Sequence, residues 1–220
     1  MKASERANDA LRRGMGRVGA TIGTWCDAYR ARGPGPAVDG ANRFLRLQAA
    51  FMPATGKPPG FGLTMWHGMF DAAYTRVGDY IVRDDSRAGL ADGGVWFVAS
   101  QEPLAPVLCI RATRVVDIAR PAGAALSGVN GYGGVAREAA EPLLTGWPAA
   151  LVAAGGGGTA SAELPSDVPA GSWQVLMPFL PGVVLRNGDV VTDDLGRSAV
   201  IATAELTAPG WRLIARQAVG

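Results

Sequence analysis

Asp189, Asp193 and Asp194 fall within six positions of one another in the stretch RNGDVVTDDLG, Arg186 to Gly196. Carboxylates packed that closely are the raw material of a cation site or a proton-sharing pair. An earlier stretch, TRVGDYIVRDD (Thr75 to Asp85), has the same R-x-G-D start and ends on its own acidic pair, Asp84 and Asp85. Neither copy has the alternating ligands and closing glutamate of a calcium loop, D-x-[DN]-x-[DN]-G-x₅-E. Asp79 and Asp189 each follow a glycine at a predicted strand start, and the acidic pairs fall where a hairpin must turn. The reading is therefore turn chemistry, with Gly196 in the left-handed position of the second hairpin.

The remaining reactive side chains give no constellation. His67, the single imidazole, sits in the apolar run MWHGMF and reads as structural, with no G-x-S-x-G elbow in the chain to supply a nucleophile. AAGGGGTAS (153–161) lacks the G-K-[ST] ending of a phosphate loop, and NGYGGV (130–135) lacks the G-x-G-x-x-G spacing. Cys26 and Cys109 are too isolated for a zinc site or a disulfide framework, and read as buried thiols of a reducing compartment. No spacing singles out a glycosidase-type carboxylate pair. The six tryptophans (Trp25, Trp66, Trp96, Trp147, Trp173, Trp211) mostly fall in strand-like runs and read as core or interface before sugar platform. The sequence thus nominates no catalytic, cofactor-binding or metal-ligating residue.

What would position these residues is a β-rich frame behind a helical arm. Leu11, Met15, Val18 and Ile22 recur at helical spacing over 4–22, with arginines between them; Gly14, Gly16 and Gly19 weaken the helix. RARGPGPAVDG (30–40) reads as a spacer. Five strand candidates follow, at 44–52, 62–70, 78–82, 94–100 and 107–118. After the glycine-rich break SGVNGYGG come five more, at 143–152, 172–180, 188–192, 197–206 and 211–219. The predicted organisation is an arm and spacer (1–40), a first β module (41–120), a glycine-rich linker (121–139) and a second β module (140–220).

The two modules read as copies. Arg76-x-Gly78-Asp79 and Arg186-x-Gly188-Asp189 lie 110 positions apart, whereas FVASQEPLAP (97–106) aligns without gaps on VIATAELTAP (200–209) at 103. The seven-residue difference falls in DDSRAGLADGG, a hairpin tip, where insertion is tolerated. The expected fold is mainly β: two similar small antiparallel barrels or sandwiches from an internal duplication, preceded by a helical arm. VWFVAS and SAVIATA are apolar on both alternating faces. Their outer faces are therefore expected to be covered by the other module, the arm or a neighbouring subunit.

Composition narrows the class. The chain has 220 residues, 48% of them hydrophobic and 18% charged, which is a folded profile able to bury a core. Residues 1–22 lack the apolar core of a secretory signal, and no run is long enough to span a bilayer. Residues 1–50 carry nine Lys/Arg against four Asp/Glu, so the arm suits an acidic partner. Arg6, Arg12, Arg13 and Arg17 make DNA contact one candidate, to be tested by salt dependence.

Four phrases, FDAAYTRVGDYIV, WFVASQEPLAPVLCIRATRVV, PLLTGWPAALV and FLPGVVLRNGDVVTDDLGRSAVIATAELTAPGWRLIARQ, resemble a family of largely uncharacterised tailed-bacteriophage proteins found among virion structural genes. The resemblance runs from about Asn42 to the C-terminus and transfers no site residues. It implies a non-enzymatic virion component of the neck or tail, assembled in the host cytoplasm. Its expected partners are tail, neck or fibre subunits, with several copies in a ring around the tail. The alternatives are a capsid decoration protein and a carbohydrate-binding host-recognition module.

Overall fold

The computed structural model describes residues 3–54, 64–84, 94–121, 140–153 and 172–217. Among the described residues one α-helix, α1 (Ala3–Ile22), precedes twelve strands. Six belong to a first closed barrel: β1 (Thr24–Tyr29), β2 (Arg43–Pro53), β3 (Met65–Met69), β4 (Tyr80–Arg83), β5 (Val95–Ser100) and β6 (Val107–Arg111). The other six form the second: β7 (Arg114–Arg120), β8 (Glu141–Ala153), β9 (Ser172–Met177), β10 (Val190–Asp193), β11 (Ser198–Thr207) and β12 (Gly210–Gln217). Around the first barrel the order is β1-β2-β3-β6-β5-β4, and β4 closes on β1. Around the second it is β7-β8-β9-β12-β11-β10, and β10 closes on β7. The two barrels therefore share one strand order, and closure leaves neither with an open sheet edge around its wall.

The equivalence extends to register. Tyr80 pairs with Phe97 as Val190 pairs with Val200, and both β5 and β11 carry a bulge, after Val98 and after Ile201. A bulge kept at one position in two copies is a retained feature, as duplication predicts. The gap-free alignment of 97–106 on 200–209 holds only as far as Ser100 and Thr203. Beyond them β5 ends in a turn while β11 runs on to Thr207, so Ser100 faces Leu108 but Thr203 faces Ile214. The tip 85–93 that would hold the insertion lies outside the described residues, as does 122–139, most of the predicted linker.

Three boundaries differ from the sequence reading. Thr24–Tyr29, placed in the arm, is the first strand of barrel 1, and Arg114–Arg120, placed in module 1, is the first strand of barrel 2. The break at 121–139 separates β7 from β8, inside barrel 2. The barrels are joined instead by Ala112 and Thr113, a corner without glycine or proline that reads as continuous strand. The third correction concerns RARGPGPAVDG. It is the β1–β2 connection of barrel 1 and it docks on barrel 2. The Pro34 carbonyl accepts the Thr145 amide at 2.9 Å, and the Gly35 carbonyl accepts the Trp147 indole N–H at 2.9 Å. Ala37 is fully buried, and Asn42 ties the strap to itself through the Pro36 and Ala37 carbonyls. Gly146, at φ +70°, sits under Pro36, where a Cβ would meet the ring at 3.3 Å.

Strand β5 shows why the barrels cannot be separate bodies. Trp96 and Val98 point into barrel 1 beside Cys26, Ala28, Ile81 and Cys109. Val95, Phe97 and Ala99 point the other way, into one core with residues of barrel 2. The Tyr80 hydroxyl donates to the Pro148 carbonyl at 2.8 Å, and its ring meets Trp147 edge-on, centroids 6.2 Å apart. Burial pushes the Tyr80 phenol well above its ordinary value, so it stays a donor. The other module is what covers the second dry face of VWFVAS. SAVIATA differs: β11 alternates buried Ala199 and Ile201 with exposed Ser198 and Val200, so its outer face is wet.

Helix α1 lies on barrel 1. Asn8, Leu11, Arg12 and Met15 border a gap of about 20 Å³ whose other wall is Phe70, Ala72, Gln101, Glu102 and Val107. Its closest approach is made through glycine: a Cβ at Gly19 would stand 2.4 Å from the Met69 carbonyl oxygen and 2.9 Å from that of Gln48. Gly19, and less closely Gly16 beside Asp71, thus let the helix seat at the cost of helix propensity, while Gly14 meets nothing. Val18 and Ile22 are left exposed, at 38% and 64%.

Trp147→Ala is expected to lower the unfolding free energy by about 3–5 kcal/mol, the usual cost of deleting a large buried aromatic. It should also split calorimetric unfolding into two transitions, because the strap, Tyr80 and barrel 2 all meet on this ring.

Candidate functional site

The two R-x-G-D phrases build the same object twice. Asp79 is 1% exposed and takes Arg30 in a fork: Nε donates to Oδ1 at 2.8 Å and Nη2 to Oδ2 at 2.8 Å. Asp189 takes Arg120 the same way, at 2.8 and 3.0 Å. In each copy the aspartate's Oδ2 also accepts the amide of its own motif arginine, Arg76 or Arg186, at 2.8 Å. The second guanidinium nitrogen reaches a further carbonyl, Tyr74 in one copy and Val184 in the other. Gly78 and Gly188, at φ +93° and +91°, turn the chain and donate to the Val98 and Ile201 carbonyls at 2.8 Å.

The turn reading therefore covers only part of what these aspartates do. They are buried anchors for an arginine at the end of the first strand of each barrel, bonded to the charged form of a partner that keeps its own charge. The bond raises the Arg30 and Arg120 guanidiniums further above their ordinary value. Sequence reading missed Arg30 and Arg120 because they stand 49 and 69 residues from their partners. An arginine at the close of each first strand, Arg30 just past β1 and Arg120 as the last residue of β7, was the available signal, hidden because the sequence marks neither strand as a separate element.

The acidic pairs are not equivalent throughout. The Asp193 carboxylate is fully covered, accepts the amides of Leu195 and Arg197, and pairs with the Arg197 guanidinium at 2.6 Å. Gly196, at φ +76°, donates back to the Asp193 carbonyl, which is the predicted turn. Burial alone would raise this carboxyl; the Arg197 side chain and the two amides outweigh it and hold it below its ordinary value. The matching position in barrel 1 is Arg83. Asp84 and Asp194 do correspond: their amides donate to Trp25 and Val115 carbonyls at 2.9 Å, and they face Arg46 and Arg114. Asp85 lies outside the described residues. Among the described residues no three His, Cys, Asp or Glu side chains gather as cation ligands.

The other candidates are scattered. His67 lies between Met52 and Leu108 in the barrel wall, with its Nδ1 shielded and unpartnered. Cys26 and Cys109 are buried in barrel 1, and burial pushes the Cys109 thiol well above its ordinary value, away from nucleophilic use. Trp96, Trp147 and Trp211 are buried, Trp66 and Trp173 half-buried, and Trp25 alone is mostly exposed, with Arg46 over its ring. That arrangement makes no row of stacked indoles. The glycine-rich stretches 130–135 and 154–161 lie outside the described residues.

What the surface does offer is apolar. Val77, Phe179 and Leu206, all exposed, line one cleft of about 180 Å³ with Gly78 and Pro209, where the turn before β4 meets the β11–β12 hairpin. A second apolar ridge, Val18 and Ile22, runs along α1. No helix among the described residues is long and apolar enough to cross a membrane.

Arg30→Ala and Arg120→Ala each strand a buried carboxylate. Each is expected to cost about 3–5 kcal/mol in denaturant unfolding. Asp79→Asn and Asp189→Asn should cost less, since the partly exposed guanidinium released can take up water. Asp193, with its lowered folded value, adds stability that is present above the ordinary aspartate value of about 3.9 and is lost as pH falls below it. Asp193→Asn should therefore flatten the acid limb of a melting-temperature titration and leave the neutral slope unchanged.

No family model, no curated protein and no solved structure matches the chain.

Proposed function

We propose that the chain is a non-enzymatic structural component of a tailed-bacteriophage particle. It acts in the neck or tail, in several copies, by attaching neighbouring tail or fibre proteins. The observation that carries this reading is the use made of the repeated R-x-G-D phrase. The residues best suited to chemistry by type and spacing are tied into the frame, with both oxygens of each aspartate held by guanidinium and amide. What faces outward for a partner is apolar: the Val77–Phe179–Leu206 cleft and the Val18–Ile22 ridge. Exposed apolar groups grouped in this way suit protein contact more than turnover. The resemblance of the strand phrases to virion proteins supplies the particle, and assembly in the host cytoplasm follows from that.

The mechanism is adhesion by a stiff double-barrel block. A capsid decoration protein would use the same block on the head shell. A carbohydrate-binding module is less favoured by the distribution of the indoles. DNA contact through α1 draws on Arg6, Arg13 and Arg17, which are exposed, although Glu5 and Asp9 interrupt that charge.

Antibody-gold labelling of purified particles is expected to place the chain at the neck or tail. Label on the head shell would favour decoration, and unlabelled particles would reject a virion role. A glycan array giving specific, tryptophan-quenching binding would replace the reading with host recognition.

A further inference from the structure

The chain has one histidine and six methionines, and the barrel 1 wall gathers three of those methionines around that histidine. Strands β2 and β3 pair at Ala50–Met69, Phe51–Gly68, Met52–His67 and Pro53–Trp66, and the Ala54 amide carries the register on by donating to the Met65 carbonyl at 3.1 Å. Phe51 and Trp66 pack on the core of barrel 1, and a Cβ on Gly68 would meet Phe70 and Cys109 there. Alternation along the strands therefore turns Met52, Met65, His67 and Met69 to the outer face. Met52 stands directly across from His67, with Cβ atoms about 4.5–5.5 Å apart for such a pair. Met65 and Met69 flank His67 along β3 at about 6.5–7 Å. On the other side, β6 brings Leu108. Among the described residues, the ladder positions around His67 hold no carboxylate, hydroxyl or ammonium group.

We propose that Met52, Met65 and His67 form a binding site for copper(I), held by two thioether sulfurs and one imidazole nitrogen. Exposure separates these residues from Met69. Met52 and Met65 are 51% and 48% exposed, whereas Met69 is 8% exposed beneath α1, whose Gly19 lies against its carbonyl. His67 is half-buried, and its Nδ1 is covered and has no hydrogen-bond partner. A ring nitrogen left in that state is costly, and a metal ion bound at the imidazole offsets the loss. The neighbours decide which ion. Thioether and imidazole together are soft, uncharged ligands that suit copper(I), while magnesium, calcium and manganese need oxygen ligands. Zinc sites draw on thiolates or carboxylates beside their histidines, and none adjoins this one. The two strands belong to a closed wall that fixes the backbone, and the unbranched methionine stems supply the reach to close on an ion. Binding moves no electrons and needs no second reactant. The site goes beyond the assembly role and does not depend on it.

The test titrates full-length chain, labelled with carbon-13 at the methionine methyls, with silver(I) as a redox-inert stand-in for copper(I). The Met52 and Met65 methyl signals and the His67 ring signals are expected to shift together and saturate at one ion per chain, with Met15 and Met177 unmoved. Zinc(II) should shift none of them. Copper(I), kept reduced with ascorbate and shared with a bathocuproine chelator, gives the affinity. That affinity should fall roughly tenfold or more in M52L with M65L and in H67A, as loss of a ligand requires. Met-to-Leu exchange conserves volume, so the double variant keeps its fold and decides the matter even if H67A does not fold. Three results would each overturn the proposal. The first is silver(I) that leaves the Met52 and Met65 methyls unmoved. The second is methyl shifts that persist unchanged in folded H67A. The third is copper(I) affinity undiminished in the double variant, which would place the ion on the Cys26 and Cys109 thiols instead.

Discussion

The seam of each barrel is its weak point, and a buried aspartate holds it. Closing the barrel requires β4 to pair with β1, and β10 with β7, yet β4 and β10 are only four residues long. Few ladder bonds fix so short a pairing, and a one-residue slip would turn every side chain of the strand to the wrong face. The Arg30–Asp79 and Arg120–Asp189 forks bind the end of one seam strand to the start of the other, and they do so just outside the ladder. A bidentate pair tolerates one geometry, so it selects the register as well as adding attraction. The adjoining amide bonds from Arg76 and Arg186 fix the same carboxylate to its own turn, which leaves the anchor no freedom to follow a slipped strand.

Around that common device the two copies have diverged according to what each must cover. Barrel 1 turns Tyr80, Val95, Phe97 and Ile110 outward onto its neighbour. The matching positions on barrel 2 are Val190, Ser198, Val200 and Arg216, which suit a face in water. The opposite flank is treated likewise. The β8 flank of barrel 2 is covered by barrel 1 at Pro148, and the corresponding β2 flank of barrel 1 is covered by α1 at Gln48. The arrangement resembles a two-unit stack with α1 over one end and a polar outer face on barrel 2 at the other, as capping repeats keep a stacked core from meeting solvent. Lateral surfaces and cleft edges are then what remains for partners.

This distribution also explains why an acidic, glycine-punctuated phrase can look like a site. A buried carboxylate must be paired, and a short motif that delivers one to the same place twice shows the regularity expected of catalytic or metal-binding residues. The arginine is what distinguishes the two cases. With a guanidinium on both oxygens, no room or charge deficit is left for a cation, and the group is committed to architecture.

The sequence by itself determined the β-rich class, the helix over α1, the doubling of the module and the turn at Gly196. These follow from local rules: periodicity, glycine position and the recurrence of R-x-G-D. It did not separate β1 from the arm or β6 from β7. Thr24–Tyr29 is a short strand wedged between a helix and a proline-rich strap, and Ala112–Thr113 turns a corner without a turn residue. Nor could it show that GPGP is a docked strap, that Arg30 and Arg120 complete the aspartates, or that SAVIATA keeps one face in water. Each of those depends on which surfaces meet across tens of residues of chain. Local pattern determines what a segment is able to form; only closure of the two barrels against each other decided which polar group is buried, what pairs with it and which apolar side chains are left outside.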